Sequence, residues 1–273
     1  MTGLTKGSLI VVGTGIDVWG QMTLIAKEQI ENADIVFEVV YGPAAKAWIA
    51  SLNSNVVCLT DLYAEGKSRA ETYEQMEDAI VEAVMDGKRV VAAFYGHPGI
   101  FVMPTHKAIA RLRAKGYEAH MEPGVSAEDC LVADLGIDPA QTGCQTFEAT
   151  QLLFYNHHIE PSCLLIIWQI GIVGEHTLRT VTPGKYGKAL AVLTDLLLES
   201  FPDDHEVILY EAANQPLFSR RIERLPLDDL RNRSPSGMST LVVPGYGKPE
   251  YNVKRLAKLG LTVENVRART PVD

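Results

Sequence analysis

The sequence predicts an α/β protein built from two halves. Short apolar runs alternate along the chain with stretches in which apolar residues recur at helical spacing, a pattern typical of strands and helices packed in layers. The 273 residues are 47% hydrophobic and 22% charged, as in soluble globular proteins that bury one large core or two medium ones. The composition changes after Glu122-Pro-Gly124. We therefore expect domains over residues 1–122 and 123–260, followed by a short tail over 261–273.

Eight apolar runs, rich in valine and isoleucine and bounded by turn residues, are predicted as strands. They cover residues 8–12, 35–40, 56–59, 89–95, 118–122, 164–170, 206–211 and 239–244. Helices are predicted over residues 21–33, 44–52, 69–86, 105–115, 126–135 and 186–200. The run over 206–211 and the segment over 220–225, joined by Asn214-Gln-Pro216, are expected to form a hairpin.

The third predicted helix has a recognisable start. Ser68-Arg-Ala-Glu71 fits a capping box, in which the serine hydroxyl accepts the N3 amide proton and the glutamate reaches back to the serine amide. Arg69 and Tyr73 then lie four residues apart on one helix face, and Gly66 lets Tyr63 fold back towards that face. Two phenols and a guanidinium suit proton transfer, although Tyr73 also belongs to an apolar stripe and could be a core residue.

Two turns follow apolar strands, at the position where open α/β sheets bind ligands. Tyr95-Gly-His-Pro-Gly99 is either a ligand-binding loop or a structural turn, and Ser126 in Pro123-Gly-Val-Ser-Ala127 is either an anion-binding helix start or an ordinary cap. An earlier turn, Gly13-Thr-Gly15, does not complete a dinucleotide-binding motif, because the third glycine would fall at Val18.

Charge and residue spacing exclude several functions. A net charge of −9 argues against nucleic-acid binding, which needs clustered Lys and Arg. The four scattered cysteines are expected to be buried free thiols, and no histidine has a partner at metal-ligand spacing, so we expect no metal. With no signal-peptide pattern and no apolar run long enough to span a bilayer, we expect a cytoplasmic protein with no membrane association.

These sequence motifs resemble those of a known protein family. Gly13-Thr-Gly15, residues 22–36, the Tyr95–Gly99 turn and the Pro123–Ala127 turn are similar to the tetrapyrrole methylases, the class III S-adenosylmethionine-dependent methyltransferases. The resemblance implies two α/β domains with the cofactor cleft between them. One departure is that Gly15-Ile-Asp-Val-Trp19 replaces the glycine-proline-glycine loop associated with tetrapyrrole substrates.

A narrower resemblance, over residues 8–260, is to the borosin peptide-backbone α-N-methyltransferases, and among these to the bacterial split type. The motifs that carry it are Tyr63, Arg69, Tyr73, the Tyr95–Gly99 turn, Trp168-Gln169, Gly174-Glu-His176, Tyr210-Glu-Ala212 and Ser239-Thr-Leu241.

The borosin resemblance implies a function. It implies iterative, S-adenosylmethionine-dependent methylation of backbone amides in a ribosomally made precursor peptide, with S-adenosylhomocysteine as product. It assigns amide activation to Tyr63, Arg69 and Tyr73. It assigns cofactor contacts to Tyr95, His97, Ile100, Ala127, Gln169, Ala212, Ser239 and Thr240.

The precursor is expected to be a separate chain acting in trans, because the residues after Leu259 lack an apolar, methylatable run. The family implies a homodimer, and a heterotetramer once the precursor is bound. Two alternatives are a tetrapyrrole C-methyltransferase, of the uroporphyrinogen or precorrin type, and a catalytically silent peptide-binding homologue.

Overall fold

The computed structural model describes residues 6–64, 67–175, 187–215 and 219–267. In the first part of the chain, strands and helices alternate: β1 (Ser8–Gly13), α1 (Leu24–Glu31), β2 (Ile35–Val39), α2 (Pro43–Leu52), β3 (Val56–Cys58), α3 (Arg69–Met85), β4 (Arg89–Phe94), α4 (Met103–Ala114) and β5 (Glu118–Met121). A 3-10 turn at Leu59–Leu62 precedes α3.

These five strands form a parallel sheet in the order β3-β2-β4-β1-β5. Successive strand residues face opposite sides, so Val11 packs in the core cluster with α3 and α4 whereas Val12 packs in the cluster with α1 and α2. Covering both faces with helices explains why these strands are continuous apolar runs. The chain leaves the adjacent strands β1 and β4 towards opposite sides of the sheet, which opens a crevice at their carboxyl ends.

The second part forms a mixed sheet. Its elements are α5 (Ala127–Leu135), β6 (Cys144–Glu148), α6 (Ala149–Phe154), β7 (Leu164–Trp168), α7 (Gly187–Leu198), β8 (Glu206–Glu211), β9 (Arg221–Pro226), β10 (Thr240–Val243), α8 (Val253–Lys258) and α9 (Val263–Arg267). The strand order is β6-β7-β10-β8-β9. Among the described strands of this second sheet, only β6 and β7 pair in parallel, and the other pairs are antiparallel. Helices α6 and α7 pack on one face, and α5 packs on the other.

The α/β class and the hairpin of β8 and β9 are confirmed. The predicted helix over 21–33 begins at Leu24 instead, because Thr23 caps it and Gln21 accepts hydrogen bonds from the Ile16 and Asp17 amides at 2.9 and 3.0 Å. The strand predicted to reach residue 170 ends at Trp168, since Gln169 turns into the left-handed region.

Other element bounds also differ from prediction. Helix α4 begins two residues early, with Pro104 in its first turn. Strand β6 and helix α6 had no prediction, because β6 is short and only partly buried. Helix α9 lies in the segment expected to be a tail. Parts of three motifs, Gly66, His176 and Pro216, and the predicted helix residue Tyr186 lie outside the described residues.

The cysteines are partly buried rather than buried, and all four are free thiols. In the described part of the chain, no helix is long and apolar enough to cross a membrane. Nor do three or more His, Cys, Asp or Glu residues there come together as a possible metal site.

Candidate active site

A cavity of about 320 Å³ lies between the two sheets, next to the carboxyl ends of β1, β4 and β7. Its size is that of a small-molecule site. Seven of the eight residues expected to contact a cofactor line it: Tyr95, His97, Ile100, Ala127, Gln169, Ala212 and Thr240. Tyr63 and Tyr73 line the same cavity, so two of the three residues expected to activate the amide share it with the expected cofactor residues.

The floor of the crevice depends on three glycines from different turns. A Cβ placed on Gly13 would lie 2.3 Å from the Gly96 carbonyl oxygen and 3.0 Å from the Gly124 Cα. Gly96 adopts φ +69°, a left-handed conformation that other residues avoid. These close approaches bring the turns after β1, β4 and β5 together, which places Tyr95 and Ala127 on one cavity.

The Tyr95–Gly99 turn is braced from within. The Gly99 amide donates a hydrogen bond to His97 Nδ1 at 3.0 Å. Because Nδ1 accepts, the proton of the neutral ring lies on Nε2. His97 lines the cavity, where Nε2 can serve as a donor. Burial raises the pKa of Tyr95 well above its usual range, and the nearby Cys130 and Tyr41 raise it further. Tyr95 therefore lines the cavity as a neutral phenol.

Helix α5 starts at the cavity with a complete capping box, the motif that the sequence predicted at the start of α3. Ser126 accepts from the Asp129 amide at 3.3 Å, and the Asp129 carboxylate accepts from the Ser126 amide at 2.6 Å. At α3, Ser68 accepts from the Glu71 amide at 3.1 Å, but among the described residues Glu71 does not return the bond. Half of the predicted α3 box is therefore present.

Two cavity residues have strained backbone conformations. Phe101 and Gln169 have φ of +57° and +60°, and they are the described non-glycine residues with positive φ. Such strain concentrates at functional sites. Phe101 lies 6.4 Å from Trp168 between ring centroids. No sequence signal marked Phe101 apart from its place after the Tyr95–Gly99 turn.

Ser239 is the expected cofactor residue that does not line the cavity. It is fully buried, and its hydroxyl donates to Glu211 and accepts from the Ser236 amide at 2.8 Å. Burial raises the pKa of Glu211, but hydrogen bonds from Ser239, Ser236 and Arg221 outweigh it, and the pKa falls below its usual value. Ser239 thus ties the loop before β10 to the end of β8, next to Thr240 and Ala212.

The three residues expected to activate the amide are distributed over two adjoining cavities. Arg69 lies in a second, more open cavity of about 460 Å³, and Tyr73, Phe101, Val102 and Gln169 line both cavities. Tyr63 and Tyr73 lie close enough for Tyr73 to shift the pKa of Tyr63. Tyr73 packs on the core beneath the sheet and also lines both cavities, so it is a core residue that is accessible from each cavity.

The surroundings of Tyr63 favour its protonated form. Burial raises the pKa of Tyr63 above its usual range, Tyr73 raises it further, and the Arg69 guanidinium lowers it by less than these. Tyr63 therefore lines the cavity as a neutral phenol, which can donate a hydrogen bond.

Further cavity residues were missed from the sequence, among them Met76, Glu128, Tyr210 and Met238. Met76 was identified only as part of the apolar stripe of α3. Tyr210 was identified as part of a motif, but its function as a donor to Asp134, at 2.8 Å, required the fold.

The sequence matches the family model described as tetrapyrrole (corrin/porphyrin) methylases over residues 8–231. The chain belongs to this family. Solved structures agree: uroporphyrin-III-C-methyltransferase from Thermus thermophilus has a TM-score of 0.61 at 18% identity, over 88% of this chain and 92% of that one. Diphthine synthase has a TM-score of 0.59 at 15% identity, over 95% and 99%. At these identities the likeness shows the fold.

Curated relatives of this tetrapyrrole methylase are methyltransferases fused to borosin-type peptide precursors. The type I borosin cyclic peptide precursor of Coprinopsis marcescibilis is 40% identical over 98% of this chain and 68% of that protein. The dendrothelin A precursor of Dendrothele bispora is 42% identical over 90% of this chain and 60% of that protein. A type III precursor from Anomoporia bombycina is 42% identical over 95% of this chain, which spans 30% of it.

Tetrapyrrole methylases are S-adenosylmethionine-dependent. The cavity suits that cofactor in size and in its mixture of apolar walls with polar donors such as His97 and Thr240. The glycine turn at Gly96 also lets a ligand approach the backbone closely.

Proposed function

We propose that this protein transfers methyl groups from S-adenosylmethionine, iteratively, to backbone amide nitrogens of a separate, ribosomally made precursor peptide. The observation that carries the proposal is the placement of the Tyr63 and Tyr73 phenols, with Arg69 close by, where two cavities meet. One cavity suits the cofactor, and the other admits a larger substrate. The similarity to methyltransferase–precursor fusions, at about 40% identity, supports a peptide as that substrate.

Methylating an amide nitrogen is difficult, because its lone pair is delocalised into the carbonyl and its N–H is barely acidic. The enzyme must take the amide proton while stabilising negative charge on the amide oxygen. We assign the proton-accepting function to the ionised form of Tyr73, which lines the second cavity together with the Arg69 guanidinium. Tyr63, whose pKa is raised, remains a donor and is assigned to the amide oxygen, with Arg69 stabilising the charge.

For the cofactor, we assign contacts to Tyr95, His97, Ile100, Ala127, Gln169, Ala212 and Thr240, with Ser239 holding the loop that bears Thr240. When bound, S-adenosylmethionine supplies an electrophilic methyl group. The protein's residues would hold the amide nitrogen in line with that group, and such positioning provides several kcal/mol of barrier reduction.

The domains over 1–122 and 123–260 would then each supply one wall of the cleft. We propose that the enzyme acts as a cytoplasmic homodimer on a precursor in trans, and forms a heterotetramer with it. The curated relatives carry enzyme and precursor in one chain, and this chain spans 30% and 60% of the first two.

The test compares two classes of substrate. Purified protein is incubated with S-adenosylmethionine and, separately, with a precursor encoded beside its gene and with uroporphyrinogen. Mass increments of one methyl on the precursor support the proposal. Methylation of the porphyrinoid with none on the precursor would instead support the tetrapyrrole branch, and binding of the precursor without any product would indicate a silent peptide-binding homologue.

A further inference from the structure

Charge is distributed unevenly along the contact between α3 and α4. Arg111 of α4 pairs with Glu77 and Asp78 of α3 at 3.3 and 2.5 Å. One turn nearer the start of α4, Lys107 faces the second cavity together with Arg69 of α3. Neither Lys107 nor Arg69 forms an ion pair with any described residue. Two cations thus share a cavity for which the described part of the chain supplies no carboxylate.

Other features of the second cavity add to its positive character. Its lining includes His106, and among the described residues it includes no aspartate or glutamate. Helix α4 begins beside it without a side-chain cap and with no acidic residue in its first turn, so the positive end of the helix dipole is not offset there. The protein as a whole carries a net charge of −9, so this positive region is local.

The position of the cavity limits its occupant. Tyr73 lines it together with Arg69, so a group bound there is close to the reacting amide. Of the residues assigned to the cofactor, Gln169 alone also lines it. An anion bound in the second cavity is therefore part of the substrate, and in a peptide the anionic side chains are carboxylates.

Resting on the proposed function, we propose that the second cavity binds an aspartate or glutamate side chain of the precursor close to the amide being methylated, and that Lys107 selects for it. Arg69 and Tyr73 are four apart on α3, and residues at this spacing on a helix lie about 5–6 Å apart. An extended chain spans about 3.3–3.6 Å per residue. The acidic residue is then expected about one or two positions from the methylated one.

The experiment uses short apolar peptides with blocked termini, each with a single aspartate scanned through the sequence and matched to the same peptide with asparagine. Binding to the full chain, saturated with S-adenosylhomocysteine, is measured by fluorescence anisotropy. At the favoured position the aspartate peptide is expected to bind about threefold to fivefold tighter than its asparagine match, as for a partly exposed ion pair. Raising the salt concentration should reduce that ratio.

Lys107→Met is expected to bring the ratio to about one. Lys115→Met is the matched control, because Lys115 is exposed at the opposite end of α4 and the variant changes net charge equally. Lys107→Glu should reverse the preference, so that a lysine peptide binds more tightly than its asparagine match. Equal binding of aspartate and asparagine peptides at every position, or an equal loss of the ratio in Lys115→Met, would overturn the inference.

Methylation of the same peptides separates this inference from the proposed function. Methylation of aspartate and asparagine peptides with equal efficiency and equal binding overturns the inference alone. A Lys107-dependent preference for aspartate with no methyl transfer to any peptide or precursor supports the acidic-residue site and contradicts the proposed function.

Discussion

Tyr73 lies where the two cavities meet, next to Tyr63. The same side chain packs on the apolar core under the sheet, which restricts its ring. A phenol held in place by packing is positioned for proton transfer with little reorganisation.

Tyr73→Phe is expected to lower methyl transfer by about 10²-fold or more, because it removes the proposed proton acceptor and keeps the ring. The rate is measured by single-turnover mass spectrometry, and cofactor affinity by calorimetry. Affinity for S-adenosylhomocysteine should be retained. Tyr117→Phe is the control, since Tyr117 also packs on this core but does not line the cavity. Equal rates in both variants would contradict the assignment.

Tyr210 is almost fully buried and donates to Asp134, and burial followed by that bond raises its pKa above the usual range. A raised pKa keeps the folded form protonated, so its contribution to stability is full below about pH 10 and is lost as the pH rises further. Tyr210→Phe should therefore reduce the fall in unfolding free energy above pH 10 by up to about 1.4 kcal/mol per pH unit.

Urea unfolding at a series of pH values measures this slope. Below pH 10, Tyr210→Phe should cost about 1–3 kcal/mol, because the Asp134 carboxylate loses a partner. Tyr246→Phe, at an exposed tyrosine, is the comparison. Parallel curves for wild type and Tyr210→Phe above pH 10 would show that the phenol does not titrate as described.

At the scale of elements, the turns after β1, β4 and β5 are held together by glycines. A Cβ on Gly13 would meet the Gly96 carbonyl oxygen at 2.3 Å and Pro98 Cδ at 2.8 Å, so the turns would have to separate. The Tyr95–Gly99 turn and the start of α5 would move with them.

Gly13→Ala is accordingly expected to destabilise the protein by about 1–3 kcal/mol and to weaken cofactor binding. Gly187→Ala is the matched control, because a Cβ there meets no described atom within 4 Å. It should leave stability the same or slightly higher. Denaturant midpoints and S-adenosylhomocysteine titrations measure both effects, and a Gly13→Ala variant as stable as Gly187→Ala would contradict the packing of these turns.

Local sequence predicted the elements with strong patterns and missed those set by tertiary contacts. The apolar run of β4 and the cap of α3 by Ser68 could be predicted because each depends on neighbouring residues. The strained backbone of Phe101 and the burial of Ser239 against Glu211 could not, since both depend on segments far apart in sequence. The raised pKa of Tyr63 could not be predicted either, because burial is a property of the fold.

At the scale of the whole molecule, the cofactor cavity takes residues from both sheets. Tyr95 follows β4 of the first sheet, and Thr240 begins β10 of the second. A ligand bound there would couple the two sheets, and its binding free energy would add to their joint stability.

S-adenosylhomocysteine at about 100 times its Kd should stabilise the protein by about 2.7 kcal/mol, measured as a rise in Tm. Tyr95→Ala and Thr240→Val should each reduce the rise at a fixed ligand concentration. Tyr117→Ala, outside the cavity, should lower the Tm itself and keep the rise. If only one of Tyr95→Ala and Thr240→Val reduced the rise in Tm, the ligand would bind outside the shared cavity.

The proposed function depends on methyl transfer to backbone nitrogen. The most direct measurement gives the protein S-adenosylmethionine with a deuterated methyl group and the neighbouring precursor, and locates the label by fragmentation mass spectrometry. We predict label on backbone amide nitrogens of consecutive precursor residues, absent with Tyr73→Phe. Label on side chains only, or no label on the precursor while a porphyrinoid acquires it on carbon, would contradict the account.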